Sequence, residues 1–370
     1  MRRKLVVLGV ILALATNLVG CNKDAVTADD RSDYTVTVIC KSQDSYWDAV
    51  KNGVADAESE TGIHTVYMAP DTEDVDKQIE LINKAVGDKT DALLIAPVTE
   101  DGLNDALQNA VSSGVMVFTI DSNVSFEGVE SSIGTNNSAA AYIAGRYALE
   151  NIQDSDKNTI GIISHSLESQ TAIERYEGFK DQLEALEGGK DLSDITTQLS
   201  NEKASGDTDS VDEDSEVTDR DNEVTDDVLD ATTGITVLDA VDCGGDIDKS
   251  KESAIELIKN NEDIGVIYAT NQPGTIGVCE AVDELVKSGD IEIGEVKVIG
   301  FDYFDGADAY LNNGVLQGVI VQNPYNMGYL GVRYAIQALD GEGISHELDT
   351  GVTLVTKDNL NDANVQFLIQ

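Results

Sequence analysis

The chain has 370 residues and a formal net charge of −45, from 24 Lys and Arg against 69 Asp and Glu. This charge argues against nucleic-acid binding, which needs a basic face to replace the counterions of phosphates, and against binding to anionic lipid through a basic patch. The hydrophobic fraction of 41% is enough for folded cores, so global disorder is excluded. At about 100–200 residues per domain, the length suggests two domains.

The first 21 residues have the pattern of a lipoprotein signal peptide. Residues 2–4 are Arg-Arg-Lys, and the apolar stretch Leu5–Thr16 is shorter than a membrane span. Leu18–Cys21 resembles a bacterial lipobox, in which the cysteine becomes the lipidated first residue of the mature chain. We therefore expect residues 22–33 to be a tether that holds the protein outside the cytoplasmic membrane through lipidated Cys21. An ordinary signal peptide with an incidental cysteine is the alternative.

Three cysteines remain after the lipobox: Cys40, Cys243 and Cys279. The number is odd and none belongs to a CxxC pair, so neither a disulfide framework nor a metal site is expected. Burial as small apolar residues is the favoured interpretation, and a Cys243–Cys279 pair remains open.

From Tyr34 onward, short apolar runs alternate with segments of helical periodicity. The predicted strands are Tyr34–Ile39, His64–Met68, Ala92–Ile95, Val115–Ile120, Thr159–Ser164, Ile235–Val241, Ile264–Ala269, Val296–Gly300 and Gly318–Val321. The predicted helices are Ser45–Glu60, Val75–Val86, Leu103–Val111, Ala139–Leu149, Ala172–Leu186, Lys249–Lys259, Ile276–Lys287 and Met327–Leu339. This alternation predicts an α/β fold in two similar halves, each a parallel sheet flanked by helices.

An acidic segment from about residue 188 to 234 interrupts the second half. Residues 201–230 contain 13 Asp and Glu against two basic residues, a local net charge of −11, and no aromatic residue. Such a segment cannot bury enough apolar surface to offset its ordering entropy, so we predict a disordered, solvated insertion. Asp207–Asp209 begins like a calcium-binding EF-hand loop, but Val211 stands where a ligand is needed and Asp212 where the glycine turn belongs.

Polar and aromatic residues follow the predicted strands, where doubly wound sheets bind ligands. Carboxylates and amides that pair with hydroxyls, beside flat aromatic rings, are what a sugar pocket needs. Each polar residue by itself has a competing explanation, since Asx and Ser after strands also cap helices and form turns. The candidates from this pattern are Asp44, Tyr46, Trp47, Asp121, Ser122, His165, Asn271, Phe301, Asp302 and Gln322.

An enzyme is the first competing class. The chain has no GxSxG, P-loop or HExxH motif and no GxGxxG at its first helix. Of its three histidines, His64 and His346 are expected to be structural, and only His165 follows a strand at the expected ligand edge. We therefore expect no catalytic residues, no cofactor and no metal.

Five stretches carry a resemblance to the ribose/galactose-type periplasmic sugar-binding proteins, the type I solute receptors of ABC importers. The resemblance covers about residues 34–180 and 235–370, and the order and spacing of its motifs make it specific. The stretches are Asp44–Gly53, Asp91–Pro97, Val117–Asp121, Glu174–Phe179 and Val298–Asp302.

The resemblance implies two Rossmann-like lobes joined by three hinge crossovers, which close on a ligand. Residues 34–136 with 323–350 would form the N-terminal lobe, and residues 137–322 with 351–370 the C-terminal lobe. Tyr46 and Trp47 would contact the sugar ring, Asp121 and Asp302 would accept hydrogen bonds from hydroxyls, and Asn271 and Gln322 would add amide contacts. Thr135 and Asn136 would lie near the first crossover.

Three positions depart from the ribose-type pattern. Ala96 stands where that pattern has Asn, and Ser122 and Ile173 stand where it has Arg. The loss of these donors weakens the case for ribose itself and leaves room for a hexose or another polyol.

The expected function is therefore that of a monomeric binding protein that delivers a monosaccharide or related polyol to an ABC permease. The alternative is a sensor subunit that presents its ligand to a membrane receptor kinase or chemoreceptor, because both partners would recognise the closed lobes.

Overall fold

The computed structural model describes residues 34–43, 45–153, 156–185 and 234–369. The lipobox with Cys21, the tether, Asp44 and nearly all of the acidic insertion, including the EF-hand-like stretch, lie outside these residues. None of the helices in the described ranges is long and apolar enough to cross a membrane.

Thirteen strands and ten helices make up the described part of the chain. The strands are β1 (Thr35–Ile39), β2 (His64–Met68), β3 (Ala92–Ile95), β4 (Met116–Ile120), β5 (Val129–Gly134), β6 (Thr159–Ser164), β7 (Thr236–Val237), β8 (Val241–Asp242), β9 (Ile264–Ala269), β10 (Lys297–Phe301), β11 (Leu316–Gln322), β12 (Glu347–Asp349) and β13 (Val352–Thr356). The helices are α1 (Ser45–Thr61), α2 (Val75–Gly87), α3 (Asn104–Ser112), α4 (Asn137–Gln153), α5 (Gln170–Ala185), α6 (Ile247–Asn260), α7 (Gln272–Ser288), α8 (Ala307–Asn313), α9 (Pro324–Leu339) and α10 (Ala363–Leu368).

Two separate sheets confirm the predicted α/β architecture. The first has six parallel strands in the order β12-β5-β4-β3-β1-β2. The second has the order β13-β11-β10-β9-β6-β7, with β8 also paired to β6, and only its β11–β13 pair is antiparallel. Both sheets are therefore built from repeated βαβ units, as the alternation in the sequence predicts.

The helices begin two to four residues earlier than their apolar periodicity predicts, wherever an Asn supplies the cap. The side-chain oxygen of Asn136 accepts a hydrogen bond from the backbone N–H of Ala139 at 3.0 Å. Asn271 and Asn323 cap α7 and α9 in the same way. A cap lies outside the apolar stripe of its helix, so periodicity alone places the start too late.

The prediction of one continuous strand over Ile235–Val241 is wrong in detail. The structure has two short pieces, β7 and β8, which both pair with the edge of β6. The exposed Asp239 lies between the two pieces, so the pairing along β6 is interrupted at the edge of the sheet. Five elements that no prediction covered are β5, α8, β12, β13 and α10.

Three crossovers join the lobes, and hydrogen bonds connect the crossovers to one another. They connect β5 to α4, β11 to α9 and β12 to β13. The backbone N–H of Thr350 donates to the carbonyl oxygen of Gly134 at 2.9 Å, and the Asn326 side chain donates to the carbonyl of Thr350 at 3.2 Å. The Asp349 carboxylate accepts from the backbone N–H groups of Asn136 and Gly351 at 3.2 and 3.0 Å. Neighbouring crossovers are therefore fixed relative to one another at the hinge.

Two helix pairs pack at very short separation. A Cβ atom placed on Gly53 of α1 would lie 2.1 Å from the carbonyl oxygen of Tyr325, and one on Gly328 of α9 would lie 2.1 Å from that of Val50. At Gly178 of α5 a Cβ would lie 2.4 Å from the Ser138 carbonyl oxygen on α4. Only glycine permits these approaches, because it has no Cβ atom. The approaches set the distance between the paired helices, and so the position of the strands against which the helices pack.

The three cysteines in the described residues are buried, and none of them forms a disulfide. Cys40 packs in the core of the first lobe, and Cys243 and Cys279 pack in one core cluster of the second. Burial raises the pKa of the Cys279 thiol. Their behaviour as small apolar residues agrees with the favoured interpretation of the sequence.

Candidate functional site between the lobes

Two aspartates occupy equivalent positions in the two lobes. Asp121 directly follows β4 and Asp302 directly follows β10, and both have a backbone φ of 66°. Each donates its backbone N–H to the neighbouring strand, Asp121 to Ile133 at 3.0 Å and Asp302 to Ile320 at 2.8 Å. The left-handed conformation costs energy for a residue with a side chain, although Asp and Asn tolerate it better than most. Such strain at matching strand ends is typical of functional positions.

A cation and two hydroxyls surround Asp121. The Lys41 Nζ lies 2.7 Å from Asp121 Oδ2, and it donates to Ser122 Oγ at 2.6 Å. Ser122 Oγ donates to Asp121 Oδ2 at 2.8 Å, and the Tyr46 hydroxyl donates to Asp121 Oδ1 at 2.8 Å. Both oxygens of the carboxylate are thus fixed by donors, which come from the loop after β4, the segment after β1 and the first turn of α1.

The surroundings of Asp121 keep it charged. Burial by itself would raise its pKa, but the positive charge of Lys41 and the hydrogen bonds from Lys41, Tyr46 and Ser122 hold the pKa below its usual value. The side chain is 14% exposed, so an ordered carboxylate faces a space from which most water is excluded.

Asp302 has a looser set of partners. Gln322 Nε2 donates to Asp302 Oδ1 at 2.8 Å, while the Arg175 guanidinium lies 3.9 Å from Oδ2. Burial raises the pKa of Asp302, and the charge of Arg175 and the Gln322 hydrogen bond only partly oppose this. The carboxylate therefore has unused hydrogen-bonding capacity in the unliganded protein.

Arg175 is 6% exposed and rigidly held. Its NH1 donates to the carbonyl oxygen of Thr270 at 2.8 Å, and its Nε donates to Asn137 Oδ1 at 3.0 Å. The guanidinium carbon lies 3.7 Å from the centroid of the Phe301 ring, a cation–π distance. One arginine thus joins α4, α5 and the ends of β9 and β10.

Tyr46 connects the two clusters electrostatically. Burial raises its pKa well above the usual value, and the negative charges of Asp121 and Asp302 raise it further, whereas Arg175 lowers it. Tyr46 belongs to the first lobe and Asp302 to the second, so charges from both lobes act on the same hydroxyl.

Two aromatic residues from the sequence prediction are placed inside the protein. Phe301 is fully buried in the core of the second lobe, with Arg175 over its ring, so the prediction that it contacts ligand is corrected to a role beneath Arg175. Trp47 is 4% exposed and packs in the core of the first lobe, edge-on to Tyr46 at 4.9 Å between ring centroids. The Lys41 Nζ lies 5.8 Å from the Trp47 ring centroid, so this ring lies next to the lysine of the Asp121 cluster.

Several predicted amides and hydroxyls have structural partners. Asn136 and Asn271 use their side-chain oxygens as helix caps. The Thr135 hydroxyl is buried at the first crossover without a hydrogen-bond partner. Asn136 and Asn271 therefore have the capping role of the competing explanation given by the sequence, whereas Thr135 does not.

His165 borders the Asp302 cluster. Its Nδ1 lies 2.9 Å from Thr270 Oγ1, and its Nε2 lies 3.4 Å from Ser169 Oγ. Burial and then the nearby charge of Arg175 lower its pKa to about 4, so the ring is neutral at physiological pH.

Lys41 and Arg175 are the site residues that sequence reasoning missed. Lys41 comes two residues after β1, at the strand end where ligand residues were sought. Arg175 lies three residues after the buried Ala172 and four before the buried Phe179, on the inward face of α5. The sequence signal that could have identified Arg175 is its position as a charged residue within an apolar stripe of the helix. Ser122 and Ile173 stand where the ribose-type pattern has Arg, but the site still contains positive donors. Lys41 and Arg175 supply them from other positions.

The arrangement suits a neutral ligand with several hydroxyl groups. Two carboxylates accept hydrogen bonds, two cations and an amide donate them, and the opposite charges balance in pairs. Within the described ranges, no group of three or more His, Cys, Asp or Glu side chains is placed to hold a metal ion.

A protein-family model described as periplasmic binding protein domain matches residues 36–219 and 211–343. The chain is 21% identical over 296 residues to the D-ribose/D-allose-binding protein of Pseudomonas aeruginosa, covering 77% of this chain and 76% of that protein. It is 21% identical over 309 residues to the ribose import binding protein RbsB of Bacillus subtilis, covering 84% and 82%. A fructose import binding protein of Bifidobacterium longum is 22% identical over 309 residues, covering 81% and 77%.

Solved structures share the fold. The arabinose binding protein AraP from Geobacillus stearothermophilus superposes with a TM-score of 0.69 at 22% identity, covering 89% of this chain and 98% of that one. A periplasmic ribose ABC transporter structure from Conexibacter woesei gives a TM-score of 0.70 at 17% identity, covering 91% and 97%.

Proposed function

Because the chain belongs to the periplasmic binding protein family, of the type I sugar-binding kind, we propose that it binds a monosaccharide or related polyol between its lobes and delivers it to an ABC permease. The matched relatives are binding proteins rather than enzymes, which confirms the prediction of a non-enzymatic function. We also propose that the mature protein acts as a monomer held at the outer face of the cytoplasmic membrane by lipidated Cys21.

The observation that carries the proposal is the pair of equivalent aspartates at the facing strand ends. Asp121 and Asp302 share a strained backbone conformation and present carboxylates from opposite lobes. A carboxylate binds the hydroxyl of a sugar more strongly in a site that excludes water, because the local dielectric constant is low. A ligand that bridges the two carboxylates has more contacts in the closed form than in the open form, and so it shifts the population toward closure.

Asp121, Tyr46, Ser122, Asp302 and Gln322 are the proposed ligand contacts among the residues predicted from the sequence. Lys41 and Arg175 join them as donors and as counter-charges. Asp44 remains a candidate from the sequence. His165 is assigned to the rim, and Trp47 is assigned to the support of Tyr46 and Lys41.

The single tryptophan provides the test. Trp47 adjoins Lys41 and Tyr46, so a ligand that contacts these residues will change its fluorescence. We expect at least one compound in a screen of pentoses, hexoses, polyols and nucleosides to produce a saturable change, with matching calorimetric binding. Asp121→Ala and Asp302→Ala should each weaken that binding at least about tenfold, since each removes charge-assisted hydrogen bonds.

The control is Asp88→Ala, an acidic residue in an exposed ion pair with Lys84. Its removal should leave binding unchanged. If no polyhydroxylated compound binds the wild-type protein, or if Asp88→Ala weakens binding as much as the two site variants do, the proposed function is wrong.

A further inference from the structure

A pocket of about 270 Å³ lies beside the Asp302 cluster, on the outer face of α5. It is lined by Ser166, Leu167, Ala172, Ile173, Tyr176 and Glu177. Leu167 is 52% exposed, so one side of its side chain is open to a ligand.

The loop that forms one wall of the pocket is fixed. Ser166 Oγ accepts hydrogen bonds from the backbone N–H groups of Glu168 and Ser169, both at 3.0 Å. The backbone N–H of Leu167 donates to Asp242 Oδ2 at 3.3 Å, and Ser164 Oγ donates to the Ser166 carbonyl at 2.7 Å. The pocket is therefore preformed rather than a gap beside a free loop.

The opposite wall is also ordered. Ile173 and Glu177, and likewise Ala172 and Tyr176, are one helical turn apart on α5, so they form a continuous strip. Lys180 Nζ donates to the Tyr176 hydroxyl at 3.2 Å and lies 5.3 Å from its ring centroid, which holds the ring in place.

The pocket adjoins the proposed sugar site through direct contacts. Ser166 follows His165, and the His165 ring bridges Thr270 and Ser169. Thr270 is also the backbone acceptor of Arg175, which faces Asp302. Moreover, Ser166 and the start of α5 come directly after the carboxyl end of β6, the edge of the sheet where ligands bind.

The size and lining of the pocket decide what it accepts. At about 270 Å³ it is smaller than the roughly 300–1,000 Å³ of sites that enclose a whole ligand, so it accommodates part of one. Leu167, Ala172 and Ile173 give a ligand hydroxyl no hydrogen-bond partner, and burying a hydroxyl against them is unfavourable. An alkyl or aryl group gains from the same surface.

We propose that this pocket is a subsite for an apolar substituent of the bound sugar, so that the preferred ligands are alkyl or aryl glycosides rather than free monosaccharides. The proposal rests on the proposed sugar-binding function. The ring hydroxyls lie between Asp121 and Asp302, and the substituent lies against Leu167 and Ile173. The exposed side of Leu167 leaves the substituent an opening at the edge of the lobe, so lobe closure does not have to enclose it.

The test compares methyl and phenyl glycosides of the sugar that binds best in the screen, with isothermal titration calorimetry. We expect the phenyl glycoside to bind wild-type protein at least tenfold more tightly than the methyl glycoside. Leu167→Ser and Ile173→Ala should reduce this ratio to about threefold or less, while the affinity for the free sugar stays within twofold of wild type.

Ile293→Ser is the matched control, because Ile293 is also 52% exposed and lies outside the pocket. It should leave the ratio unchanged. A phenyl glycoside that binds no more tightly than the methyl glycoside overturns the subsite while the free sugar still binds, and so does a ratio that survives both pocket variants. If neither free sugars nor glycosides bind, the proposed function itself fails and the subsite fails with it.

Discussion

At the scale of single residues, the two aspartates differ in spite of their equivalent backbones. Asp121 has a lysine at 2.7 Å and two hydroxyl donors, and its pKa is held low. Asp302 has an arginine at 3.9 Å that is also engaged with Thr270 and Asn137, and its pKa is raised by burial. The surroundings of Asp121 thus favour its charged form, whereas burial disfavours the charged form of Asp302.

This difference predicts opposite effects of Asp121→Asn and Asp302→Asn on stability. A carboxyl group whose pKa is lowered on folding contributes stability above its unfolded pKa, and this is lost as the pH falls through the folded value. One whose pKa is raised costs stability at neutral pH, and this cost decreases as the pH falls below the raised value and is gone below the unfolded pKa. We therefore expect Asp121→Asn to lower the Tm at pH 7 by about 2–4 °C for each kcal/mol lost, and Asp302→Asn to leave it unchanged or to raise it.

Differential scanning calorimetry of the unliganded variants measures this. Asn tolerates the left-handed backbone as well as Asp does, so neither substitution adds strain, and each variant serves as the control for the other. Both should lose sugar affinity. Equal losses of Tm would contradict the assigned difference between the two sites.

At the scale of elements, two pairs of closely packed helices position the strand ends. The pair α1–α9 joins the first helix of the first lobe to the second crossover, since Gly53 faces Tyr325 and Gly328 faces Val50. The sequence placed Gly53 and Gly178 in family motifs, but only the packing shows why glycine is required at each. The same scale explains why helix starts were misplaced: Asn136, Asn271 and Asn323 act as caps, although the first two were sought as ligand residues.

We expect Gly53→Ala to lower the free energy of unfolding by at least about 2 kcal/mol. Its Cβ would lie 2.1 Å from a backbone carbonyl oxygen, so the helices must separate. Gly87→Ala is the matched control at the end of α2, where a Cβ meets nothing within 4 Å, and it should be neutral or stabilising by about 0.4–1 kcal/mol. Urea denaturation measures both. If the two substitutions have similar effects, close packing at Gly53 does not limit stability.

At the scale of the whole molecule, the negative net charge does not contribute to the proposed membrane anchoring. Removal of residues 1–20 takes away three basic residues, which changes the net charge from −45 to −48. A chain of this net charge is repelled by anionic lipid, so the anchoring that we propose depends on acyl chains.

We therefore expect wild-type protein to remain in the membrane fraction in high salt and Cys21→Ala to be released from it. Fractionation followed by immunoblotting measures the distribution. Cys40→Ala is the control, since Cys40 is buried in the first lobe and should not affect anchoring. Release of the wild-type protein would show that the leader is an ordinary signal peptide. Retention of Cys21→Ala would show that something other than acylation anchors the chain.

Most of the fold was predictable because the buried strands are continuous apolar runs such as Ala92–Ile95 and Ile264–Ala269, and the helices show regular periodicity between them. The elements that escaped prediction are short or lie at edges. β12 spans three residues, and β5 alternates buried and half-buried positions, so neither has a run long enough to recognise.

The sequence by itself determined the α/β alternation, the two-lobed family and the aspartates at the ends of β4 and β10, and it predicts the lipobox. These depend on local patterns that repeat along the chain. Only the tertiary structure decided that Lys41 pairs with Asp121, that Arg175 lies between Phe301 and Asp302, and that Leu167 and Ile173 share a pocket. Lys41 and Asp121 are 80 residues apart, and Arg175 and Phe301 are farther apart still. Contacts over such separations are set by strand order and helix packing, which no local pattern specifies.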